Sequence, residues 1–166
     1  CVVNDAMQRM LQKKMELISP PAPTEEELEY ARQITVQTLT HVPTADPDHP
    51  LWWQVPPYPE LEKNHGSTDV GDVSWVCPTA QIYTACEARG TPGHSWQNVS
   101  CGNTSISHKG TIFAGKVLAG AAIDLMEKPE VLQAAKDEYE AKMKRYGGYF
   151  CPVPEGAVPV VPGEKM

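Results

Sequence analysis

The chain has 166 residues, a formal net charge of -7 at pH 7 and a pI near 5.2. This acidic balance argues against a protein that binds nucleic acid through the phosphate backbone, because such proteins need a basic surface. No apolar run approaches the ~20 residues that span a bilayer, and the first residues lack the basic and apolar blocks of a signal peptide, so we expect no membrane partner and a cytoplasmic location.

Two features of the termini and thiols extend this expectation. The five cysteines form neither a C-x-x-C pair nor a metal-binding spacing, so we interpret them as reduced thiols in a cytosolic chain. The chain begins at Cys1 rather than at a methionine. We interpret that start as the sign of a processed or truncated piece of a longer protein.

The first predicted elements are two helices. Residues 4 to 18 begin "NDAM" and carry an apolar stripe at helical spacing, with the Asn or the Asp available as the cap. After the break "SPPAP", Thr24 is followed three residues later by Glu27, which is the pattern of a capping box. The sequence predicts a second helix over residues 24 to 40.

A proline-rich stretch, residues 41 to 65, separates these helices from the next elements. Connections inside a domain usually have about 4 to 6 residues, and much longer ones tend to be functional or mobile. Trp52 and Trp53 could clamp a flat substrate or cover a neighbouring core, and covering a core is the commoner arrangement. The same stretch holds a candidate metal cluster, but prolines interrupt it. We therefore interpret its members as solvated loop residues rather than as metal ligands. The members of that cluster are His41, Asp46, Asp48 and His49.

Two short strands are predicted next, at residues 73 to 77 and 80 to 86, because both stretches are rich in β-branched and aromatic residues. Pro78 lies between them. The Gly- and Pro-rich turn "ARGTPGHSWQ" follows and displays His94. These strands supply the sheet of the predicted fold.

The rest of the chain is predicted to be helical and then extended. Residues 108 to 128 are apolar nearly all round, so we expect this helix to lie buried against a sheet. Pro129 suits the first turn of a further helix that ends near Arg145, and the proline-punctuated tail, residues 147 to 166, is predicted to be extended. Helices that frame a few strands give an α/β or α+β chain, here with helices packed on a small sheet.

The stretch "NHGSTDVGDVSWVCPTAQ", residues 64 to 81, raises the first functional question. Asp69 and Asp72 stand among small residues directly before the first predicted strand, with His65 upstream. Small residues let the backbone approach a ligand closely, so this pattern is consistent with a polar site at the mouth of a sheet. Aspartates that cap a turn are the commoner explanation of the same pattern.

Three stretches in register, "GSTDVGDVSWVCPT", "GTPGHSWQ" and "SISHKGTIFAGKVLAGAAIDLM", resemble the M20 metallopeptidase and amidohydrolase family. They are most similar to the branch that contains the aminobenzoyl-glutamate hydrolases. The similarity covers residues 1 to about 160 and is densest from His65 to Met126. No single stretch is a specific motif alone, but three in order are much more specific than one.

The resemblance implies a catalytic α/β domain with two divalent ions, zinc or manganese, interrupted by a smaller lid domain that often mediates dimerisation. The family's H-x-D motif is absent from this sequence, and the only run of glutamates, Glu25 to Glu27, stands in a capping position. The resemblance therefore implies that residues 1 to 166 are the C-terminal part of the catalytic domain, without the lid.

The resemblance also assigns site residues. A late histidine of the family completes the second metal site, and "GTPGHSW" puts His94 at that position, where an imidazole nitrogen suits zinc. Without the resemblance, a lone histidine after a Pro-Gly turn is more often a surface residue. The "GSTDV" match implies that Asp69 orients a metal ligand or contacts substrate, and that Ser67 and Thr68 belong to the substrate site. Turn capping remains the alternative for Asp69. His108, with Lys109 and Gly110 at the front of the long helix, either helps to bind a substrate carboxylate or bonds to backbone.

The implied reaction is metal-assisted hydrolysis of an amide bond in a small N-acyl or aminobenzoyl amino acid. Because one late histidine cannot hold two ions, we expect this chain alone to be inactive and to bind no metal tightly. The alternative is a non-catalytic interaction or regulatory module that retains part of the fold. Either protein could form a homo-oligomer through exposed apolar surface.

Overall fold

The computed structural model describes residues 1–38, 45–58 and 68–158. These ranges contain six α-helices. In chain order they are α1 (Asp5–Ile18), α2 (Glu25–Thr38), α3 (Val70–Val76), α4 (Trp96–Gly102), α5 (Ser105–Glu127) and α6 (Pro129–Tyr146). None of the six has the length and apolar character that a membrane crossing requires.

The predicted α/β fold, with helices packed on a small sheet, was wrong, since the described ranges contain no strand. Residues 73 to 77 were predicted as a strand, but α3 takes up most of this stretch and buries Ser74, whose hydroxyl accepts a hydrogen bond from the N–H of Val2. Residues 80 to 86 form neither helix nor turn, yet within the described ranges no second strand lies beside them. Residue type favours an extended conformation, but a strand also needs a partner for its ladder.

The first helix was predicted correctly, and its start is tied to α6. The side-chain oxygen of Asn4 accepts a hydrogen bond from the N–H of Met7 at 3.0 Å, as an N-cap does. The amide nitrogen of Asn4 donates to the carbonyl of Ala135 at 2.8 Å. The Glu138 carboxylate accepts hydrogen bonds from two further N–H groups of the first turn. Two α6 residues therefore fix the start of α1.

We expect Asn4→Ala to lower the free energy of unfolding by about 1 to 2 kcal/mol, because α1 loses its cap and the Ala135 carbonyl loses its donor. Asn4→Ser keeps a capping oxygen but has no amide to reach Ala135, so its free energy of unfolding should fall between those of the parent and Asn4→Ala. Urea denaturation of the three proteins measures this order. An Asn4→Ser variant as unstable as Asn4→Ala would show that the cap contributes nothing.

The predicted capping box at the start of α2 is confirmed. The Thr24 hydroxyl accepts from the N–H of Glu27 at 3.2 Å, and the Glu27 carboxylate accepts from the N–H of Thr24 at 2.7 Å. Glu27 is only 7% exposed. Its carboxylate also accepts a hydrogen bond from the Ser105 hydroxyl at 2.6 Å and pairs with the Lys109 ammonium at 2.8 Å. Glu27 therefore caps α2 and also fastens it to the first turns of α5.

The long helix α5 packs against α1, α4 and α6. Its buried residues join two core clusters, one shared with α1 and one shared with α2, α4 and the loop around Leu51. The prediction that this nearly uniformly apolar helix lies buried against a sheet was wrong, because among the described residues it packs against helices and no strand is present. Its opposite side is exposed, for example at Ile112 and Met126, because the described helices cover only one side of it.

The end of the chain follows the prediction in part. Pro129 opens α6, and Gly147 closes it with a φ of 83°, a left-handed conformation that glycine adopts without strain. Residues 147 to 158 contain no helix and no strand. The remainder of the predicted tail, residues 159 to 166, lies outside the described residues, as do parts of the predicted 41 to 65 loop.

Candidate functional site

His94 lies at the apex of the turn before α4. Its φ of 57° is unusual for a residue with a side chain. The Ser95 hydroxyl holds the turn, since it donates to the Pro92 carbonyl at 2.6 Å and accepts from the N–H of Asn98 at 3.2 Å as the cap of α4. His94 is exposed, and its ring has no hydrogen-bond partner among the described residues. The turn therefore presents a free imidazole to its surroundings.

Asp69 occupies the cap position of α3 but does not use its carboxylate as a cap. The Thr68 hydroxyl accepts the N–H of Val70 instead, at 3.3 Å. Asp69 is exposed, and no hydrogen bond to a described residue engages its side chain. Ser67, the other predicted substrate contact of this stretch, lies outside the described residues. The turn therefore engages the hydroxyl of Thr68 and leaves the carboxylate of Asp69 available.

His108 is exposed on the first turn of α5, and within the described ranges its ring makes no hydrogen bond. Its neighbour Lys109 is not a free cation, because its ammonium pairs with Glu27. Gly110, the third member of "HKG", is buried against Ala85. Of these three residues, His108 is the one with an exposed side chain that has no partner among the described residues.

The structure does not bring Asp69, His94 and His108 together into a metal-binding group. Among residues 1–38, 45–58 and 68–158, no hydrogen bond or ion pair joins Asp69, His94 or His108 to one another. No group of three or more His, Cys, Asp or Glu side chains in those ranges is placed to hold a metal ion. The described residues therefore do not by themselves fit a two-metal centre, and we derive no catalytic step through one.

The proline-interrupted acidic stretch is a structured loop. The Asp46 carboxylate pairs with His49 Nδ1 at 3.0 Å and with the Arg89 guanidinium at 3.1 Å, and it also accepts two loop N–H groups. The hydrogen bond from His49 is the largest cause that lowers the pKa of Asp46. His41, which was predicted with them, lies outside the described residues. These contacts occupy the carboxylate with partners inside the chain.

All five cysteines are free thiols. Cys101 is fully buried, and burial is the main cause that raises the pKa of its thiol, so it packs as a small apolar side chain. Cys86 is half-buried beside Thr84, whereas the other three are exposed. None of them has a histidine or carboxylate as a hydrogen-bond partner within the described ranges, so no activated thiol is evident there.

A groove of about 400 Å³ lies between two stretches of chain, residues 51–56 and 83–90. Prolines and tryptophans form one wall, and α5 contributes the floor. Trp53 packs against a core cluster, as the commoner explanation of the Trp pair predicts. Trp52 is 65% exposed and carries the Arg89 guanidinium over its ring at 5.2 Å. Sequence reasoning missed this groove because its walls are about 30 residues apart in the chain, and the Trp pair was the one signal for it.

Over 93 residues the chain is 44% identical to the B subunit of p-aminobenzoyl-glutamate hydrolase from Escherichia coli (strain K12). The match covers 56% of this chain and 19% of that protein, so the chain spans about a fifth of the length of the relative. No protein-family model and no solved structure matches the chain. The identity confirms the resemblance to the aminobenzoyl-glutamate hydrolase branch.

Proposed function

We propose that this chain forms part of an amidohydrolase that cleaves the amide bond of an aminobenzoyl or other N-acyl amino acid. The observation that carries this proposal is the 44% identity over 93 residues to a protein whose name states that it belongs to a p-aminobenzoyl-glutamate hydrolase. A shared fold alone would not support an activity, because one fold serves many reactions. Identity at this level over more than half of the chain is a stronger basis.

Within that hydrolase we propose that His94 supplies one ligand to a zinc or manganese ion. Its exposed ring, which has no partner among the described residues, is free to coordinate a metal. The remaining ligands would come from parts of the hydrolase outside the described residues. A bound ion would supply polarisation of the scissile carbonyl.

We further propose that Asp69 contacts the substrate or orients a metal-binding imidazole. Its exposed carboxylate does not cap α3, which leaves it available for either contact. Thr68 and Ser67 would lie beside it, and His108 would bind a substrate carboxylate. Because Lys109 is already paired with Glu27, the histidine is the better candidate for that anion. The free thiols suit a hydrolase that works in the cytoplasm.

The test is a chimera in which residues 68–158 of this chain replace the corresponding region of the Escherichia coli relative. We expect the chimera to hydrolyse p-aminobenzoyl-glutamate. We expect His94→Ala in the chimera to lower kcat by about 100-fold or more, because loss of a residue that only supports a metal ligand already costs about 10- to 100-fold. Released p-aminobenzoate is measured by absorbance, and bound zinc and manganese are measured by elemental analysis.

The matched control is Val99→Ala, a change at an exposed position on α4 close to His94 in the chain, which should leave kcat unchanged. A folded chimera that fails to cleave the substrate would favour the alternative function, a non-catalytic module. An active chimera whose metal content and kcat are unaffected by His94→Ala would remove His94 from the metal site and leave the hydrolase proposal standing.

A further inference from the structure

Three of the four tryptophans have partners within the described part of the chain. Trp52 lies under a guanidinium, and Trp53 packs against a core cluster. The Trp75 ring meets the Tyr146 ring edge-on, with the ring centroids 6.0 Å apart. Trp96 differs from these three, because it is 57% exposed and no aromatic ring, cation or hydrogen bond of a described residue engages its indole. Its apolar ring is therefore a surface that is open to a ligand.

Trp96 lies close to His94, because only Ser95 separates them. One residue spans at most about 3.6 Å of chain, so the two Cα atoms are no more than about 7 Å apart. Ser95 has an extended backbone, with a φ of -116° and a ψ of 163°, and its hydroxyl is engaged within the turn. In an extended chain, the neighbours of a residue point away from its own side chain. His94 and Trp96 are both exposed, so their rings share one face of the turn.

The aminobenzoyl half of the proposed substrate suits an indole in both shape and charge. Its ring is flat, uncharged and bonded directly to the scissile carbonyl, so it lies close to the groups that hold this carbonyl. The amino acid half carries carboxylates, which would lose hydration against an apolar ring without gaining a partner. Aromatic rings prefer offset or edge-to-face contacts with one another, and tryptophan offers a large surface for them. The face shared by His94 and Trp96 is therefore complementary to the acyl half.

We propose that Trp96 is a specificity-determining residue that stacks on the aromatic acyl group of the substrate. This inference rests on the proposed function, in which His94 helps to hold the ion at the scissile carbonyl. A favourable contact between two aromatic rings adds about 2- to 10-fold in affinity beyond the burial of apolar area. Trp96 therefore favours a benzoyl-type amide over a saturated acyl amide of the same size.

The test compares two substrates in the chimera that carries residues 68–158 of this chain. One is p-aminobenzoyl-glutamate, and the other is cyclohexanecarbonyl-glutamate, whose saturated ring has a similar size but no π face. Released glutamate is measured for both substrates. We expect Trp96→Leu to lower kcat/KM about 3- to 10-fold for the aminobenzoyl substrate and to change it by less than about two-fold for the cyclohexane substrate.

Two further variants provide matched controls. Trp96→Phe keeps an aromatic ring at the same position, so it should retain most of the preference for the aminobenzoyl substrate. Val99→Ala removes apolar surface from an exposed position of α4 and should alter kcat/KM for neither substrate. Equal losses on both substrates in Trp96→Leu would overturn the inference, because a substitution that only disturbs the turn affects both amides alike. A Trp96→Leu chimera with unchanged kinetics on both substrates would overturn it as well.

A binding measurement separates this inference from the proposed function. The ligand is p-aminobenzoate, which contains no amide to hydrolyse, and equilibrium dialysis compares its binding with that of cyclohexanecarboxylate. Binding of p-aminobenzoate alone that is about 3- to 10-fold weaker in Trp96→Leu supports the ring contact even in an inactive chimera, and inactivity then overturns only the hydrolase assignment. Unchanged binding in an active chimera overturns the role of Trp96 alone. An inactive chimera that binds no p-aminobenzoate overturns both.

Discussion

Gly110→Ala is expected to lower the free energy of unfolding by about 2 to 3 kcal/mol. A Cβ on Gly110 would collide with the carbonyl oxygen of Ala85 and lie 2.7 Å from the Cys86 sulfur, closer than real Cβ contacts come. Because one of the clashing groups is backbone, relief requires the chain at Ala85 and Cys86 to move away from α5. Alanine is the better helix former by ~1 kcal/mol, and this gain offsets only part of the cost.

Gly115→Ala is the matched control, since Gly115 lies in the same helix with open space around its Cβ position. There the same substitution should stabilise the protein by about 0.5 to 1 kcal/mol. Thermal and urea denaturation of the two variants should therefore shift in opposite directions. A Gly110→Ala protein at least as stable as the parent would mean that Ala85 and Cys86 do not pack closely against α5.

Sequence reasoning predicted the elements that local chemistry determines. The start of α1 at Asn4, the Thr24–Glu27 box and the Pro129 start of α6 each depend on residues within one helical turn. The start of α5 was predicted at His108 and lies at Ser105. Thr104 occupies the cap position, but its hydroxyl donates to the Cys101 carbonyl and does not cap the helix. Local signals thus located most helices, with an error of a few residues at their ends.

The errors arose where distant parts of the chain decide the conformation. The stretch before Cys77 has strand-like residues, yet it is helical, and the buried hydroxyl of Ser74 accepts a hydrogen bond from the N–H of Val2, 72 residues earlier in the chain. Residues 80 to 86 have the right residue types for a strand, but the described chain offers them no partner. Neither fact can be read from a window of neighbouring residues.

The candidate site shows the same division. The sequence pattern correctly indicated a turn that displays His94, because Pro92 and Gly93 lie directly before it. It did not indicate that Lys109 is paired with Glu27, a contact between α5 and α2. The ion pair shows that Lys109 holds α5 to α2 through Glu27.

Glu27→Gln is expected to lower the free energy of unfolding by about 2 to 3 kcal/mol at pH 7. The carboxylate accepts hydrogen bonds from Thr24, Ser105 and Lys109, and a neutral amide can accept fewer of them and leaves the ammonium without its ion pair. Glu26→Gln is the matched control, because Glu26 is exposed in the same turn and its carboxylate has no hydrogen-bond partner among the described residues. Urea denaturation should show a lower free energy of unfolding for Glu27→Gln and almost no change for Glu26→Gln.

The pH dependence of this loss identifies its ionic origin. Burial pushes the pKa of Glu27 upward, but the hydrogen bonds from Lys109, Ser105 and Thr24 outweigh it and lower the pKa from 4.5 to about 2. A carboxylate whose pKa is lower in the folded protein contributes stability that is complete above the unfolded value and disappears as the pH falls through the folded value. The other carboxyls titrate alike in both proteins, so the difference in free energy of unfolding between the parent and Glu27→Gln follows the titration of Glu27. This difference should be constant from pH 7 to about 5 and should narrow between about 4.5 and 2. A difference in unfolding free energy that stays unchanged down to about pH 2 would mean that the substitution acts through packing rather than charge. No difference at pH 7 would mean that Glu27 does not stabilise the contact between α2 and α5.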